Sequence, residues 1–258
     1  MTLWHSFRRK NTAAPIDPEH ETYARFDKVS LSLGGKDVLK DISLSLSEKR
    51  IGVVGLNGSG KSSFVRLING LRRADSGDVS IFGAPLDEVA AELPRHIGFV
   101  FQNPDHQAIF PTVAEEIAFG LRQLGEDKLP AQDKARAFLA SHGCAALAER
   151  PFAELSEGQK QLICILAVLV MNPKVLILDE PMASLDGLAS RKILQRINAL
   201  DQKILMISHD LSFLEGFDRI LWIEDGDIRM DSAPGDVLPA FVVDVERRAG
   251  QEMTGEAL

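Results

Sequence analysis

One segment of eight residues constrains this chain more than any other part of its 258-residue sequence. Residues 55–62 read Gly-Leu-Asn-Gly-Ser-Gly-Lys-Ser, which fits the phosphate-binding pattern G-x-x-x-x-G-K-[ST]. A short apolar run at residues 51–54 precedes the segment, and apolar residues at helical spacing follow it over residues 61–71. The order of strand, glycine loop and helix is the context in which this pattern binds phosphate.

This loop predicts a nucleotide site because its glycines let backbone N–H groups converge on phosphate oxygens at a helix N-terminus. Lys61 is placed to reach the β- and γ-phosphates of ATP, and the Ser62 hydroxyl is placed to meet Mg²⁺. The candidate nucleotide-binding residues are Gly55, Leu56, Asn57, Gly58, Ser59, Gly60, Lys61, Ser62 and Ser63.

Two adjacent acids follow a second apolar run, at residues 175–178. Asp179 and Glu180 are therefore expected at the carboxyl edge of a parallel sheet, where ligands bind in such folds. Asp179 is the candidate Mg²⁺ ligand, and Glu180 is the candidate general base or water-orienting group. Solvated acids at a strand end are the alternative, which the phosphate loop in the same chain makes less favourable.

The remaining pattern alternates strands and helices, and it predicts an α/β fold with a parallel sheet. An antiparallel hairpin is expected around the Gly34-Gly35 turn, and a helical insertion is expected between residues 102 and 156. Beyond Phe241 the sequence becomes charged, which favours a frayed end. Further strands are predicted at 78–82, 97–101, 203–207, 220–223 and 227–230, and helices at 113–124, 133–142, after Ser156 to 171, and 187–200.

Composition excludes several classes of protein. A net charge of −8 and the lack of a Lys or Arg run argue against nucleic acid as a partner. Cys144 and Cys164 lie in apolar or Ala-rich surroundings, which argues against a disulfide framework or a zinc site. No apolar run approaches the ~18 residues that a membrane-spanning helix needs.

A third motif, Leu155-Ser156-Glu157-Gly158-Gln159, resembles the LSGGQ signature of the ATP-binding cassette (ABC) ATPases and precedes a predicted helix. The resemblance covers residues 25–238. It implies a P-loop (RecA-like) parallel sheet core with an antiparallel β subdomain and a helical subdomain. It also implies that Ser156, Glu157, Gly158 and Gln159 face ATP held by a partner subunit.

Three further matches follow in the order of the family: Gln102 as the Q-loop, Ser184-Leu185-Asp186 as the D-loop, and His209 as the switch histidine. The resemblance implies a homodimer, or a dimer with a paralogue, that closes on two ATP–Mg²⁺. The roles that it implies are catalytic for Glu180, His209 and Gln102, metal-binding for Ser62, Gln102 and Asp179, and D-loop for Asp186.

The predicted organisation has a flexible N-terminal tail at 1–23, an ABC ATPase domain at 24–243 and a C-terminal tail at 244–258. Within the domain, residues 24–102 and 160–240 form the α/β core with its β subdomain. Residues 103–159 form the helical subdomain.

Residues 101–107, Phe-Gln-Asn-Pro-Asp-His-Gln, and residues 115–120 resemble the Q-loop region of the energy-coupling factor (ECF) transporter ATPases. This resemblance implies a groove for a transmembrane T-component, a separate substrate-binding S-component, and a peripheral location on the cytoplasmic side of the membrane. The part of the chain beyond the cassette is short, and in this the chain resembles the compact ATPases of biotin-, cobalt- or nickel-type systems. Overall likeness favours biotin.

Two other functions remain open from the sequence. A soluble ABC ATPase acting on DNA or ribosomes would use the same motor, although only one P-loop is present and about fifty residues separate Gln102 from Leu155. A small-molecule kinase would use Lys61 and Ser62 and leave the signature and His209 without a role.

Three positions depart from the ABC pattern, one of them Leu162, which replaces the arginine commonly found three residues after the signature glutamine. Leu33 occupies the place of the aromatic residue that stacks on adenine, with Tyr23 as a remote substitute. Glu157 replaces the second glycine of the signature. A carboxylate beside the γ-phosphate repels it, so we expect either slow turnover or a Glu157 side chain that is turned outward.

Overall fold

Two β-sheets organise residues 16–255, the part of the chain that this computed structural model describes. A four-stranded antiparallel sheet has the order β2-β1-β4-β5. A six-stranded sheet has the order β10-β9-β3-β8-β7-β6 and is parallel except for its edge strand β10. The strands are β1 (Ala24–Leu33), β2 (Lys36–Leu46), β3 (Arg50–Val54), β4 (Ser76–Ile81), β5 (Ala84–Pro85), β6 (Ile97–Val100), β7 (Val175–Asp179), β8 (Lys203–Ile207), β9 (Arg219–Glu224) and β10 (Asp227–Ser232).

Helices cover both faces of the six-stranded sheet, and together with the hairpin β1–β2 they confirm the predicted fold class. None of the helices within residues 16–255 is long and apolar enough to cross a membrane. The helices are α1 (Lys61–Ile68), α2 (Leu86–Val89), α3 (Val113–Gln123), α4 (Lys128–Ser141), α5 (Glu157–Leu169), α6 (Gly187–Asn198) and α7 (Pro234–Gly255).

The central strands β3, β7 and β8 are apolar apart from one charged residue at an end of each, Arg50, Asp179 and Lys203, because both of their faces are buried. Alternate residues of β7 enter different cores: Val175 and Ile177 pack towards the antiparallel sheet and α1, whereas Leu176 and Leu178 pack towards α3 to α7. The same alternation divides β8 and β9. The strand ends are thereby held rigidly, which fixes the loops that follow them.

The predicted C-terminal tail is wrong over the described residues, because α7 continues through Phe241 to Gly255. Phe241 packs edge-on against Trp222 of β9, with ring centroids 5.3 Å apart. Asp244 is buried and accepts hydrogen bonds from Arg229 of β10 and from Arg247 and Arg248 of its own helix. Pairing across elements therefore orders a segment that is too charged to be recognised as core from its sequence.

The predicted N-terminal tail is wrong at its last residue, Tyr23, whereas residues 1–15 lie outside the described part. Tyr23 is fully buried, and its backbone N–H donates to the Leu46 carbonyl at 2.9 Å. Lys203 lies over the Tyr23 ring, 5.4 Å from its centroid, and donates to the Glu21 carbonyl. Since Lys203 begins β8, Tyr23 lies at the sheet edge opposite the glycine loop and does not substitute for an adenine-stacking residue.

The element boundaries differ from prediction by a few residues, apart from α4, which begins five residues earlier than expected. Pro130 occupies the third position of α4, where its missing N–H removes no intrahelical bond. The short elements α2 and β5 had no distinct pattern in the sequence.

Three distant segments meet at the glycine loop. The turn between β9 and β10 donates from Gly226 N–H to the Ser59 carbonyl at 3.1 Å. The Gly226 carbonyl in turn accepts from the backbone N–H of Lys40 in β2 at 2.8 Å. The loop is thus tied through this turn to the antiparallel sheet.

Candidate nucleotide-binding site

The loop between β3 and α1 has a backbone that glycine alone adopts without strain at its critical points. Gly60 is the N-cap of α1 and has a φ of 109°. A Cβ at Gly60 would lie 2.6 Å from the Val38 carbonyl oxygen, and one at Gly55 would lie 2.2 Å from the Ile223 carbonyl oxygen. These close approaches explain why Gly55 and Gly60 are glycines. The backbone N–H groups at the start of α1 have no partner within the helix and are open to a ligand.

Lys61 and Ser62 are brought together with Asp179. The buried Lys61 ammonium donates to the carbonyl oxygens of Gly55 and Leu56 at 2.8 and 2.9 Å. Burial lowers the pKa of Lys61, an effect that the Glu180 and Asp179 carboxylates oppose. The Ser62 hydroxyl donates to Asp179 Oδ1 at 3.1 Å.

Asp179 ends β7 and is 3% exposed. Burial raises the pKa of this carboxyl group, whereas the hydrogen bond from Ser62 and the charge of Arg66 oppose the rise. Asp179 Oδ2 lies 3.5 Å from Arg66 Nη2. Sequence reasoning missed Arg66, although its place four residues after Ser62 puts it on the same face of α1.

Glu180 lies between Gln102 and His209. Gln102 Nε2 donates to Glu180 Oε2 at 3.1 Å, and His209 Nε2 lies 2.9 Å from Glu180 Oε1. Glu180 has a φ of 53°, which is uncommon for a residue with a side chain, and its backbone N–H donates to the Ile207 carbonyl. Backbone strain of this kind is found often at functional sites.

Gln102, Glu180 and His209 line one open cavity of about 690 Å³ together with most of the glycine loop. The predicted site residues Gly55, Leu56 and Asp179 do not line it. Val38 of β2 also lines the cavity, and sequence reasoning missed it. Leu33, the position that the ABC pattern gives to adenine stacking, is instead partly buried against the core next to the antiparallel sheet. The sequence-predicted residues that line the cavity are Asn57, Gly58, Ser59, Gly60, Lys61, Ser62, Ser63, Gln102, Glu180 and His209.

The signature residues do not line this cavity. Ser156 caps α5: its hydroxyl accepts from the Gln159 N–H, and the Gln159 side chain accepts from the Ser156 N–H. A Cβ at Gly158 would lie 3.1 Å from the Ala189 Cβ at the start of α6. The N-terminus of α5 is therefore next to that of α6.

Asp186, the candidate D-loop residue, is the N-cap of α6 and accepts from Leu188 and Ala189 N–H groups at 2.9 and 2.8 Å. Glu157, the residue that departs from the signature, is turned towards Lys160, with Oε1 3.2 Å from Nζ. The structure thus has the Glu157 carboxylate paired within its own helix.

Comparison with known proteins agrees with this arrangement. The ABC transporter family model matches residues 39–183. The biotin transport ATP-binding protein BioM of Rhodobacter capsulatus is 43% identical over 221 residues, which span 86% of this chain and 94% of BioM. The chain belongs to the ABC transporter family, and it is an ATPase subunit whose ATP hydrolysis is coupled to transport.

Two solved structures carry the same fold. CbiO1 from Clostridium perfringens, described as part of the ABC transporter complex cbiONQ, is 28% identical and has a TM-score of 0.75 over 91% of this chain and all of that chain. A dimeric post-hydrolysis form of the ATP-binding cassette MJ0796, bound to ADP and Pi, is 25% identical with a TM-score of 0.71. That match covers 82% of this chain and 98% of the cassette. The similarity to BioM and CbiO1 makes the chain ECF-like.

Proposed function

We propose that this chain is the ATP-hydrolysing subunit of an ECF-type importer, bound peripherally to the cytoplasmic side of the membrane, with biotin as the favoured substrate. The observation that carries the proposed chemistry is the position of Glu180, which Gln102 and His209 hold at the cavity that the phosphate loop lines. A carboxylate fixed in this way beside a bound triphosphate is suited to orient and activate water.

The residues present fit an ATP triphosphate. Ser59 Oγ is buried in the loop and has no hydrogen-bond partner among the described residues, so it is a free polar group at the place where phosphate oxygens are proposed to bind. Lys61 supplies a cation, and the first turn of α1 supplies N–H groups and the positive end of its dipole. Leu56 contributes its carbonyl to Lys61, and Val38 supplies an apolar contact for a base.

The same site fits Mg²⁺, which prefers oxygen ligands. Ser62 Oγ and Asp179 Oδ1 are 3.1 Å apart and supply a hydroxyl and a carboxylate, and the Gln102 side chain is the third proposed group. Bound Mg²⁺ would neutralise charge that develops on the phosphates during hydrolysis.

Each polar side chain around the γ-phosphate then has a separate role. Glu180 takes a proton from the attacking water, since its two oxygens face Gln102 and His209 rather than Asp179. His209 would donate towards the phosphate or the water, and Gln102, which donates to Glu180, would offer its side-chain oxygen to Mg²⁺. Lys61 compensates charge on the β- and γ-phosphates.

A dimer completes the proposed site. Ser156, Glu157, Gly158 and Gln159 lie outside the cavity of their own chain, which supports a role on the nucleotide of a partner subunit. The capped N-terminus of α5 offers N–H groups and a positive dipole to such a phosphate. Asp186 fixes the neighbouring N-terminus of α6 at the same surface. The dimeric form of the similar cassette MJ0796 supports this assembly.

A small groove beside the Q-loop is the proposed docking place for the transmembrane T-component. It has a volume of about 170 Å³, and its lining includes Phe99, Phe119 and Ile109. Ile109 is 66% exposed, and Phe119 is only partly buried rather than part of the core. We propose that the helical subdomain at residues 103–159 moves with this groove when ATP closes the dimer, and that the S-component selects the substrate.

Biotin is favoured because the similarity to a biotin transport ATP-binding protein covers 94% of that protein. The comparisons give no support to a cassette that acts on DNA or ribosomes.

The test is to tag the chain in its native host, solubilise the membranes gently and identify the proteins that co-purify. Two integral membrane proteins, one similar to a T-component and one to a small S-component, are expected. Uptake of radiolabelled biotin by cells that express the set should fall to background when Lys61→Ala replaces the normal chain.

Cobalt and nickel serve as competing substrates in the same cells. Uptake of cobalt or nickel without biotin uptake would show that the metal ion is the substrate, and the proposed transport function would stand. Recovery only from the soluble fraction with ribosomes or DNA would overturn the transport function.

A further inference from the structure

Lys160 joins two acids that belong to different functional segments. It lies in the first turn of α5 and is 10% exposed, and its Nζ is 2.9 Å from Asp105 Oδ1 and 3.2 Å from Glu157 Oε1. Asp105 follows the Q-loop residue Gln102, and Glu157 is the residue that departs from the signature. The hydrogen bond that Lys160 donates to the Asp105 carboxylate raises the pKa of Lys160, so the side chain stays charged.

A second set of contacts holds the same two segments together. Gln107 accepts from the Phe101 N–H with its side-chain oxygen and donates to the Cys164 carbonyl with its Nε2. The Cys164 thiol donates to the Pro104 carbonyl. The segment that carries Asp105 is therefore fixed on α5 independently of Lys160, and Asp105 provides a firm anchor for the Lys160 ammonium.

Glu157 needs such an anchor because of its position. It is the first residue of α5, at the end that the proposed function turns towards the partner's γ-phosphate. Its side chain is 49% exposed, so burial does not hold it in one rotamer. An unpaired carboxylate there would oppose a phosphate of the same charge, and juxtaposed like charges weaken association.

We propose that Lys160 is a positioning residue that holds the Glu157 carboxylate directed away from the partner's nucleotide and, with a charge it shares with Asp105, partly offsets the charge of Glu157. This inference rests on the proposed function, because it requires the signature to face ATP across a dimer. It explains how this chain keeps a signature with an acid in place of glycine. The ion pair offsets the negative charge, and the anchor on Asp105 fixes its direction.

The test is ATP-driven dimerisation of the full chain, measured by sedimentation with Mg²⁺ and with Glu180→Gln in every protein to prevent turnover. Lys160→Met should weaken dimerisation by about tenfold or more, since it exposes the Glu157 charge to the partner's phosphate. In a Glu157→Gln background, the further change Lys160→Met should alter dimerisation by no more than about twofold. Lys160→Arg should preserve it.

Two controls separate positioning from a general loss of structure. ATP binding to the monomer at low protein concentration should be the same with and without Lys160→Met. Asp105→Asn should weaken dimerisation less than Lys160→Met, because the Lys160–Glu157 pair remains. Melting temperatures establish that each variant is folded.

The outcomes are distinct. If Lys160→Met weakened dimerisation equally with Glu157 and with Glu157→Gln, or weakened it in neither, this inference would be overturned and the proposed dimer would remain. Absence of ATP-dependent association in the Glu180→Gln reference protein would overturn the proposed dimer and this inference with it.

Discussion

Asp179 and Glu180 are neighbours in the chain, yet they have different environments. Asp179 continues β7, is buried, and pairs with Ser62 and Arg66. Glu180 adopts a positive φ, and its carboxylate contacts Gln102 and His209 instead. The change of backbone conformation between the two residues therefore separates a group suited to a metal ion from one suited to water.

We predict that Glu180→Gln lowers the ATPase rate by at least about a hundredfold, because the amide cannot accept the proton of the attacking water. ATP binding should remain close to normal, since the phosphate loop is unaltered. Steady-state hydrolysis and nucleotide binding measured on the same protein give both values.

Glu88→Gln is the matched control, because Glu88 is an exposed glutamate of α2 outside the cavity. It should leave hydrolysis unchanged. A Glu180→Gln protein that hydrolyses ATP within a few-fold of normal would show that another group activates the water.

The strands could be predicted because strands buried on both faces have short apolar runs in their sequence, as in β7 and β8. The P-loop, Asp179 and Glu180 could be predicted because they follow those strands directly. Helix α7 could not, because its order depends on partners in other elements. Arg229 of β10 stacks over Trp222 and pairs with Asp244, which no local pattern reveals.

We predict that Asp244→Asn loosens α7 from the sheet, because three arginine side chains lose their buried anionic partner. Amide exchange in α7 should become roughly tenfold faster. Glu246→Gln makes the same change of charge at an exposed position of the same helix and should have little effect. Equal exchange in the two variants would mean that apolar contacts alone hold α7.

The same ion pairs predict a pH dependence. The hydrogen bond from Arg247, together with Arg229, lowers the pKa of Asp244 against the opposing effect of burial. Asp244 binds fewer protons in the folded state, so its contribution is present at neutral pH. This contribution is lost as pH falls through the lowered pKa, and Asp244→Asn should remove that part of the acid sensitivity of α7, measured by exchange across a pH series.

One chain carries the two halves of the proposed hydrolytic site at separate places. The cavity has the loop and Glu180, and the N-terminus of α5 lies outside it. Two chains related by two-fold symmetry would supply each other's missing half.

We predict that two inactive variants restore activity when mixed. Lys61→Ala removes the phosphate-binding cation, and Ser156→Asp keeps an N-cap while bringing a negative charge to the signature. Half of the dimers in an equal mixture contain one of each, with one intact site, so about a quarter of normal activity is expected if sites act independently. ATPase assays on the mixture measure it.

Ser156→Asn is the control, because it keeps the cap without the charge and should stay far more active than Ser156→Asp. A mixture that is no more active than its separate components would contradict exchange of sites between chains.

The bonds that join Ser59, Gly226 and Lys40 impose an order of events during synthesis. A chain leaves the ribosome from its N-terminus, so Lys40 and Ser59 emerge before Gly226, the residue to which both are hydrogen-bonded. A nascent chain that stops before residue 226 therefore carries the complete loop sequence without the turn that steadies it.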